Sequence, residues 1–346
     1  MKISLSWLKQ YVDIDIAPQE LCDRMTMAGF EIEEMQDLSQ SMRNVVVGRI
    51  EKLEKHPDAD RLKICQVNVG DRTVQIVTGA DNVFAGALVP AALDGSLLPT
   101  GQEIRSGKLR GVVSDGMLCS GEELMLTEEE YPGAGVYGIL ILKPDCVIGA
   151  DMKEVLGRND CIIDFKVTPN RPDCLCALGI AREISVMLKK PFNKPVVSGA
   201  NKGGEIESFA KVEVRDQELC PRYTARGVRN VKIEPSPKWM QERLLAAGMR
   251  PISNIVDITN YVMLETGQPM HAFDMRDVTN RQIVVRRAQE KEKLVTLDKK
   301  EHELNSSMLV IADEARAVGL AGIMGGLNSE IKLDTSEILL ESAKFK

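Results

Sequence analysis

The chain contains few of the residue types on which catalytic and binding sites often depend. Its 346 residues include three histidines and two tryptophans, and aromatic residues make up only 4% of the total. Long apolar runs are also missing, since none approaches the roughly 18 residues of a membrane span. The opening MKISLSWLKQYVDIDI lacks the unbroken apolar stretch of a secretory signal. The sequence therefore predicts no membrane partner and a cytoplasmic location.

Cysteine is present but is not arranged for metal binding or catalysis. None of the eight cysteines forms a CxxC pair or has a histidine at zinc-ligand spacing. The chain has no GxSxG motif and no credible cysteine–histidine dyad, so a covalent nucleophile is not expected. We interpret the cysteines as reduced, mostly buried thiols.

The charge balance is acidic, with a formal net charge of −7. This charge excludes a generally basic nucleic-acid coat, so any contact with nucleic acid requires a local basic patch. The length exceeds one ordinary hydrophobic core, and two or three domains are expected.

Short alternating strands predict a barrel over residues 40–151. Residues 65–69 (CQVNV) alternate apolar and polar side chains, and Gly70-Asp71 supplies the turn to the next strand. Other short strand-like runs follow between glycines and prolines, the last of them at residues 139–142 (ILIL). Many short strands with regular turns are typical of a small closed barrel such as the OB-fold.

Helical patterns flank this predicted barrel on both sides. Pro18 stands at the first position of one predicted helix, and Gly29 marks its end. We expect residues 1–39 and 152–195 to form one small α+β domain into which the barrel is inserted.

Residues 205–346 are predicted to form a separate mixed α+β domain. Helices are expected after Ser236-Pro237 and after Ser253, and strand-like apolar runs follow them. The Pro-, Gly- and Asn-rich segment 191–204 before this domain is typical of a linker. The overall fold class is therefore multidomain α+β.

Two basic clusters stand in the barrel region. The first is Arg61 and Lys63, in and beside the motif HPDADRL, and the second is Arg105, Lys108 and Arg110, in and beside the motif GKLRGVVSDGMLCS. Barrels of the OB type bind single strands through basic grooves and aromatic platforms. This barrel has Phe84 but no tryptophan, so solvated loops with ordinary charges are an alternative interpretation.

Two further motifs have plain structural interpretations. GAGVYG, residues 133–138, matches GxGxxG, but an acidic segment precedes it and a strand-like run follows it, so we interpret it as a turn. In TPNRPDCL, Asp173 can cap the following helix. Arg171 can contact a carboxylate, a phosphate or another subunit, and a structural turn with a buried ion pair is the alternative.

The segment NIVDITNYVMLETGQPMHAFD, residues 254–274, predicts a helix that runs into a turn presenting His271. Asn260 lies in the middle of this helix, AGIMGG at residues 321–326 permits close backbone approach, and Glu341 stands among apolar residues. Each feature also has a structural interpretation: a hydrogen-bonded histidine, a solvent-facing asparagine, a tight turn and a surface carboxylate.

Motifs along essentially the whole chain resemble those of bacterial phenylalanyl-tRNA synthetase beta subunits. The resemblance runs from SWLKQYV at Ser6 to ESAKF at Glu341, and it includes TPNRPDCL, GIARE and the 254–274 segment. HPDADRL and GKLRGVVSDGMLCS are similar to the tRNA-binding domain that also occurs in the endothelial-monocyte-activating-polypeptide module and in methionyl-tRNA synthetase tails.

The resemblance implies tRNA binding by the barrel, and the basic clusters are its candidate contacts: Arg61, Lys63, Arg105, Lys108 and Arg110. It also implies a pocket that edits Tyr-tRNA(Phe), lined by Arg250, Asn260, His271, Gly325, Gly326 and Glu341. An apolar pocket rejects an added hydroxyl by only about 10²-fold, so a second pocket that rewards the tyrosine hydroxyl is required. We expect Glu341 to accept that hydroxyl, and His271 and Asn260 to position the ester, the ribose or the attacking water.

The resemblance further implies an α2β2 enzyme that attaches phenylalanine to tRNA(Phe). The alpha subunit holds the aminoacylation site and uses ATP and magnesium, and no cofactor is expected in this chain. Because the family continues beyond the position of Lys346, we expect an N-terminal fragment with an incomplete editing domain that is inactive alone. A non-catalytic tRNA-binding or assembly module and a freestanding trans-editing protein are the alternatives.

Overall fold

The computed structural model describes residues 1–128, 130–197, 199 and 204–346. Contacts between residues divide the chain into two compact units. Unit 1 comprises Met1–Ile3, Trp7–Ile32 and Phe165–Lys346, and unit 2 comprises Ser4–Ser6 and Glu33–Asp164. Among the described helices, none has the length and apolar character that crossing a membrane requires.

The helices begin and end largely where the sequence predicts. They are α1 (Leu5–Leu8), α2 (Pro18–Met27), α3 (Met152–Val155), α4 (Ala177–Leu188), α5 (Lys238–Ala246) and α6 (Asn254–Thr266). Pro18 occupies the first turn of α2 because its fixed φ suits a helix start. Gly267 ends α6 in the left-handed conformation, with φ 79°, and donates its N–H to the carbonyl of Met263.

The strands of the described residues occupy most of the remaining chain. They are β1 (Lys2–Ser4), β2 (Glu31–Asp37), β3 (Arg43–Lys55), β4 (Lys63–Asn68), β5 (Thr73–Thr78), β6 (Leu88–Leu97), β7 (Glu103–Ile104), β8 (Gly107–Leu109), β9 (Val112–Ser114), β10 (Gly116–Leu118), β11 (Cys161–Lys166), β12 (Lys211–Val214), β13 (Arg222–Arg229), β14 (His271–Asp274), β15 (Gln282–Arg287), β16 (Lys293–Val295), β17 (Glu301–Glu303), β18 (Leu309–Ala312), β19 (Ala317–Leu320), β20 (Met324–Gly325) and β21 (Glu337–Lys344). β1, β11 and β2 form a three-stranded sheet in that order.

Unit 2 is built on an antiparallel sheet with the order β10-β6-β3-β4-β5, and β7 pairs with β6. The two edges of this sheet approach each other. The N–H of Asp115 donates to the carbonyl of Gln75 over 2.7 Å, and the N–H of Val77 donates to Oγ of Ser114 over 3.0 Å. Alternating side chains of the strands, such as Cys65 and Val67, enclose an apolar core. The strands predicted at the start of the barrel region are thus confirmed.

The strand predicted at residues 139–142 is wrong. This segment makes isolated backbone bonds to two separate places, from Leu140 to the Cys119 carbonyl and from Leu142 to the Leu88 carbonyl. Because neither contact continues into a ladder, no strand forms. The preceding GAGVYG segment is a series of turns, with φ 91° at Gly133 and 123° at Gly138, so its interpretation as a turn is confirmed.

The turn before α4 differs from the prediction in one respect. Asp173 does not cap the helix, because its carboxylate is engaged by the Arg171 guanidinium at 3.0 Å. The cap is Cys176, whose Sγ accepts the N–H of Gly179. Arg171 also lies 2.7 Å from Glu183, so the predicted ion pair is present, but it is not buried, because the side chain of Arg171 remains 33% exposed.

The C-terminal part of unit 1 contains three sheets. One has the order β12-β15-β18-β19-β20, the second has the order β13-β21-β14, and the third pairs β16 with β17. Phe273, Ile283, Val318 and Leu339 are buried in a common core. Residues 191–197 of the predicted linker form no helix or strand, and 198 and 200–203 lie outside the described residues.

Candidate functional site

Two of the predicted site residues lie side by side on neighbouring strands. After Gly267 ends α6, the chain enters β14 at His271, and β14 pairs antiparallel with β21. In this register His271 is directly opposite Glu341. Directly opposed residues of an antiparallel pair point to the same face, so the imidazole and the carboxylate share one side of the sheet.

Glu341 is a buried carboxylate with one oxygen engaged. Its side chain lies on the central strand of the sheet, and the residue is 8% exposed. The hydroxyl of Tyr223 donates to Oε2 over 2.7 Å. Burial raises the pKa of Glu341 to about 7, and the hydrogen bond from Tyr223 opposes this rise. Near neutral pH this carboxyl can therefore exist in both protonation states.

The ring of His271 is enclosed but incompletely hydrogen-bonded. It packs edge-on against Phe273, with 4.6 Å between the ring centroids. Its Nε2 is fully buried and has no hydrogen-bond partner among the described residues. Burial lowers the pKa of His271 to about 4, so the imidazole is neutral at pH 7. Because buried polar atoms are nearly always partnered, an unpartnered nitrogen beside a buried carboxylate marks a candidate ligand site.

Gly325 allows the His271 ring to lie where it does. A Cβ on Gly325 would come within 2.4 Å of Cε1 and 2.6 Å of Nε2 of the imidazole. Gly326 allows a close approach between two backbone segments instead. Its N–H donates to the Val318 carbonyl over 2.8 Å, and a Cβ on Gly326 would lie 2.6 Å from the same carbonyl oxygen. The two glycines thus permit close approach, as the motif AGIMGG suggests.

The remaining predicted pocket residues lie on α6 and just before it. Asn260 is half-buried in α6, and it makes no hydrogen bond to His271 or Glu341 among the described residues. Arg250 is exposed in the connection between α5 and α6. The structure therefore brings His271, Glu341 and Gly325 together directly, whereas it places Asn260 and Arg250 on a neighbouring element.

Tyr223 belongs to this site and was missed by the sequence reasoning. It is 118 positions from Glu341 in the chain. The alternating pattern of β13 indicates a strand but not which strand lies beside it, so no local signal could have identified the contact.

Neither a nucleophilic cysteine nor a metal cluster is found at the pocket among the described residues. Burial and the nearby Glu341 raise the pKa of Cys220, so this cysteine stays a thiol. The group of metal-ligand residues that the described chain offers elsewhere is Asp173, Cys174 and Glu183, and Arg171 already bonds both carboxylates.

In unit 2, His56 links the two predicted basic motifs. The N–H of Asp58 donates to Nδ1 of His56, and Nε2 lies 3.1 Å from the carbonyl of Leu109 at the end of β8. Because Nδ1 accepts the Asp58 N–H, Nε2 is the nitrogen that donates to the Leu109 carbonyl. Arg110 and Gly111 form the two-residue turn from β8 to β9, with φ 50° and 88°. His56 therefore joins the HPDADRL loop to this hairpin.

The five predicted cations of unit 2 differ in whether their charged groups already bond to other residues. Lys108 and Arg110 are exposed on the β8–β9 hairpin, and Arg61 is exposed before β4. The Lys63 ammonium donates to the Asp81 carbonyl over 3.0 Å, and Arg105 pairs with Glu103 over 3.0 Å.

Comparison with known proteins first gives the class of the chain. The domain described as a putative tRNA binding domain matches residues 45–138, and the B3/4 domain matches residues 219–346. The basic clusters lie in the first match, and His271, Glu341 and Tyr223 lie in the second. The chain thus combines a tRNA-binding domain with a B3/4 domain in a mixed α+β protein.

Two relatives give the family. The chain is 51% identical over 347 residues to the phenylalanine–tRNA ligase beta subunit of Clostridium tetani, with 100% of this chain and 43% of that protein covered. It is 49% identical to that of Syntrophus aciditrophicus, with coverage of 100% and 42%. The chain belongs to the phenylalanine–tRNA ligase beta subunit family, and it spans about two fifths of the length of these relatives.

A solved N-terminal fragment of the phenylalanyl-tRNA synthetase beta subunit from Pyrococcus horikoshii is also similar. It is 16% identical, the match covers 54% of this chain and 57% of that one, and the TM-score is 0.31. A TM-score this low adds nothing to the assignment.

Proposed function

We propose that this chain supplies tRNA binding and an editing pocket to a phenylalanine–tRNA ligase. In this proposal the whole enzyme is a cytoplasmic α2β2 assembly that attaches phenylalanine to tRNA(Phe). Its alpha subunit carries the aminoacylation site with ATP and magnesium, and the sites of this chain use no cofactor. The observation that carries the editing role is the cross-strand pair of His271 and Glu341, with an unpartnered imidazole nitrogen beside a buried carboxylate.

The domain layout in this proposal follows the sequence pattern. Residues 40–151 form an OB-fold tRNA-binding domain, inserted into a small α+β domain of residues 1–39 and 152–195. Residues 205–346 form part of the editing domain. The approach of the two sheet edges in unit 2, through Asp115 and Gln75, supports a closed barrel.

Glu341 discriminates tyrosine from phenylalanine in this mechanism. Oε2 is engaged by Tyr223, whereas Oε1 has no hydrogen-bond partner and is not one of the fully buried unpartnered atoms among the described residues. Oε1 can therefore accept the hydroxyl of a tyrosyl group. A phenylalanyl group would cover this oxygen without a donor, which costs about 1–3 kcal/mol.

His271 acts on the ester end of the substrate. As a neutral imidazole it can accept a hydrogen bond from the attacking water or from the terminal ribose through Nδ1, which is not one of the fully buried unpartnered atoms among the described residues, without adding charge. Water adds to the ester carbonyl, the bond between the carbonyl carbon and the ribose oxygen breaks, and the ribose oxygen takes the proton. Asn260 and Arg250 position the ester and the nearby phosphate, and Gly325 keeps the imidazole in place.

The second proposed role, tRNA binding, rests on the exposed hairpin of unit 2. Lys108 and Arg110 are exposed there, and Arg61 is exposed in the loop that His56 joins to the hairpin. Lysine and arginine that neutralise phosphates release counterions, so binding must weaken with salt. Without editing activity, this observation alone favours a non-catalytic tRNA-binding or assembly module.

The editing role can be tested by comparing tyrosyl with phenylalanyl substrates, both as hydrolysable esters and as non-hydrolysable amides. Hydrolysis of preformed Tyr-tRNA(Phe) and Phe-tRNA(Phe) is measured with the chain and with His271→Ala, Glu341→Ala and the exposed control Glu213→Ala. Binding of non-hydrolysable tyrosyl-amide and phenylalanyl-amide analogues of the terminal adenosine is measured in parallel. We expect a tyrosyl preference of about 10- to 100-fold, since a hydrogen bond to a charged group contributes about 1.5–3 kcal/mol.

The preference should be lost in Glu341→Ala and kept in Glu213→Ala. Selective hydrolysis by the chain alone would support a self-sufficient, trans-editing protein. Selective amide binding without hydrolysis would support a pocket that is completed elsewhere. Equal binding of both amides, unchanged by Glu341→Ala, would contradict the editing role and leave salt-sensitive tRNA binding as the function.

A further inference from the structure

Tyr223 reaches Glu341 from the strand on the opposite side to His271. β21 is the central strand, with β13 on one side and β14 on the other. Tyr223 is directly opposite Ala343, two residues beyond Glu341, so its hydroxyl reaches the carboxylate diagonally. The resulting hydrogen bond to Oε2 is 2.7 Å long. Glu341 is thus held between a phenol from β13 and an imidazole from β14.

The Tyr223 hydroxyl acts as a donor to Glu341 in this position. Its ring is partly exposed and packs on the core that contains Phe273 and Leu339. Burial of the hydroxyl and the charge of Glu341 raise the pKa of Tyr223 well above its ordinary value. The phenol therefore stays protonated over the working pH range and donates its proton to the carboxylate.

Because of this contact, the two carboxylate oxygens of Glu341 have different roles. Oε2 is committed to Tyr223, and Oε1 is the oxygen left for a ligand. A carboxylate without the Tyr223 bond could rotate about its last torsion and present either oxygen. A fixed carboxylate offers one acceptor in one direction, which is what recognition of a single hydroxyl requires.

We propose that Tyr223 is a positioning residue for tyrosine recognition: its hydroxyl holds Oε2 of Glu341 and directs Oε1 to the hydroxyl of the tyrosyl group. This inference rests on the proposed editing function. The internal contact also shows that Glu341 accepts a phenol, the same chemical group that the substrate would present.

The first measurement is a titration of the Glu341 carboxyl by ¹³C NMR in the whole chain. Removal of the hydroxyl in Tyr223→Phe should raise the Glu341 pKa by about 1–2 units, because a hydrogen bond to a charged group contributes about 1.5–3 kcal/mol. The matched control is Tyr131→Phe, which removes a buried hydroxyl that accepts the N–H of Lys143 in unit 2. An unchanged Glu341 pKa in Tyr223→Phe would overturn the proposal.

The other titratable groups that face Glu341 do not change their charge in the pH range where the Glu341 carboxyl titrates. His271 on β14 is already neutral above pH 5, because burial lowers its pKa to about 4. Cys220, before β13, keeps its proton because burial raises the pKa of its thiol. If Tyr223→Phe fails to fold, 3-fluorotyrosine at position 223 provides a stronger donor of the same shape. It should lower the Glu341 pKa, and no shift would again overturn the proposal.

The second measurement is the binding preference for the tyrosyl-amide over the phenylalanyl-amide analogue. Tyr223→Phe should lower this preference about 10-fold and shift its pH profile upward, while affinity for the phenylalanyl analogue stays the same. An equal loss for both analogues would indicate a purely structural role and would overturn the proposal. If neither analogue binds the unmodified chain, the editing function fails, and the NMR titration still decides whether Tyr223 holds Glu341.

Discussion

His56 and His271 are both enclosed by the protein, but their hydrogen bonding differs. His56 is 5% exposed, and both of its ring nitrogens are engaged, one by the Asp58 N–H and the other by the Leu109 carbonyl. His271 has its Nε2 buried without a partner, beside a carboxylate whose pKa is raised by burial. The comparison separates a histidine that stabilises its domain from one that costs stability and is retained at a site.

Replacing each histidine with leucine should separate the two roles by the largest margin. His56→Leu leaves the Asp58 N–H and the Leu109 carbonyl without partners, so the free energy of unfolding should fall by about 2–5 kcal/mol. His271→Leu removes an atom that has no partner, so the free energy of unfolding should change by less than about 1 kcal/mol. Urea unfolding, monitored separately in each unit by hydrogen exchange, measures both changes.

The two substitutions should affect activity in the opposite order: His271→Leu should cause the larger loss and His56→Leu the smaller. His271→Leu should abolish selective hydrolysis or selective binding of the tyrosyl substrate, and His56→Leu should leave that selectivity intact at temperatures where the chain stays folded. A destabilised His271→Leu protein with normal selectivity would show that the unpartnered nitrogen has no functional meaning.

The pH dependence of the free energy of unfolding should reveal the raised pKa of Glu341. The native state keeps this proton up to pH about 7, whereas the unfolded chain loses it near the ordinary pKa of 4.5. The native state therefore binds more protons at Glu341 between these pH values, and the contribution of this residue to the free energy of unfolding falls as the pH rises. Glu341→Gln removes this fall. Its stability relative to the unmodified chain should increase by about 3 kcal/mol between pH 4.5 and pH 7.

His271 supplies the internal control because its slope has the opposite sign. The native state releases the His271 proton above pH about 4, whereas the unfolded chain keeps it until pH 6.5, so this residue makes stability rise with pH over that range. His271→Leu should therefore uncover the fall caused by Glu341, which the contribution of His271 offsets in the unmodified chain. Parallel pH profiles for Glu341→Gln and the unmodified chain would mean that the carboxyl has an ordinary pKa.

The sequence predicts the elements of the fold well where local rules apply. Pro18 and Gly267 mark helix ends because their backbone preferences are strong and local. The run at residues 139–142 misleads because four consecutive apolar residues can be buried without a strand partner. Asp173 misleads because a nearby guanidinium competes for its carboxylate. Local preference predicts an element, and the available partners decide whether it forms.

The site is less predictable for the same physical reason. His271 and Glu341 were found through resemblance, and the register that makes them opposite neighbours joins residues 70 positions apart. Tyr223 carried no signal, because strand pairing between β13 and β21 cannot be derived from either strand alone. His56 stands out in the sequence only as part of the HPDADRL motif, because the acceptor of its Nε2 lies on the β8–β9 hairpin, 53 positions away.

A smaller effect is expected from the glycine that supports the His271 ring. Gly325→Ala places a Cβ 2.4 Å from the imidazole Cε1, so the ring must move. Overpacking of this kind costs about 1–3 kcal/mol of stability, and displacement of the imidazole should reduce selective tyrosyl binding at least about 10-fold. Thermal unfolding and binding of the tyrosyl amide measure the two effects.

Gly107→Ala is the matched control for this substitution. Gly107 begins β8, its φ is not positive, and nothing lies within 4 Å of an added Cβ. Its replacement should change stability by less than about 0.5 kcal/mol. Normal tyrosyl binding in Gly325→Ala would show that the ring position is not critical to the pocket.

The smallest expected effect concerns the basic hairpin of unit 2. Lys108→Gln with Arg110→Gln removes two exposed charges and keeps side chains that are unbranched at Cβ, so the hairpin held by His56 should persist. If both cations contact phosphates, the slope of log K against log salt for tRNA should fall by about 1.5, since each charge contributes about 0.7–0.9. The control pair is Lys52→Gln with Arg72→Gln, whose cations are exposed but already paired with Glu54 and Asp71. Equal changes in both double variants would mean that net charge, rather than the hairpin, governs tRNA binding.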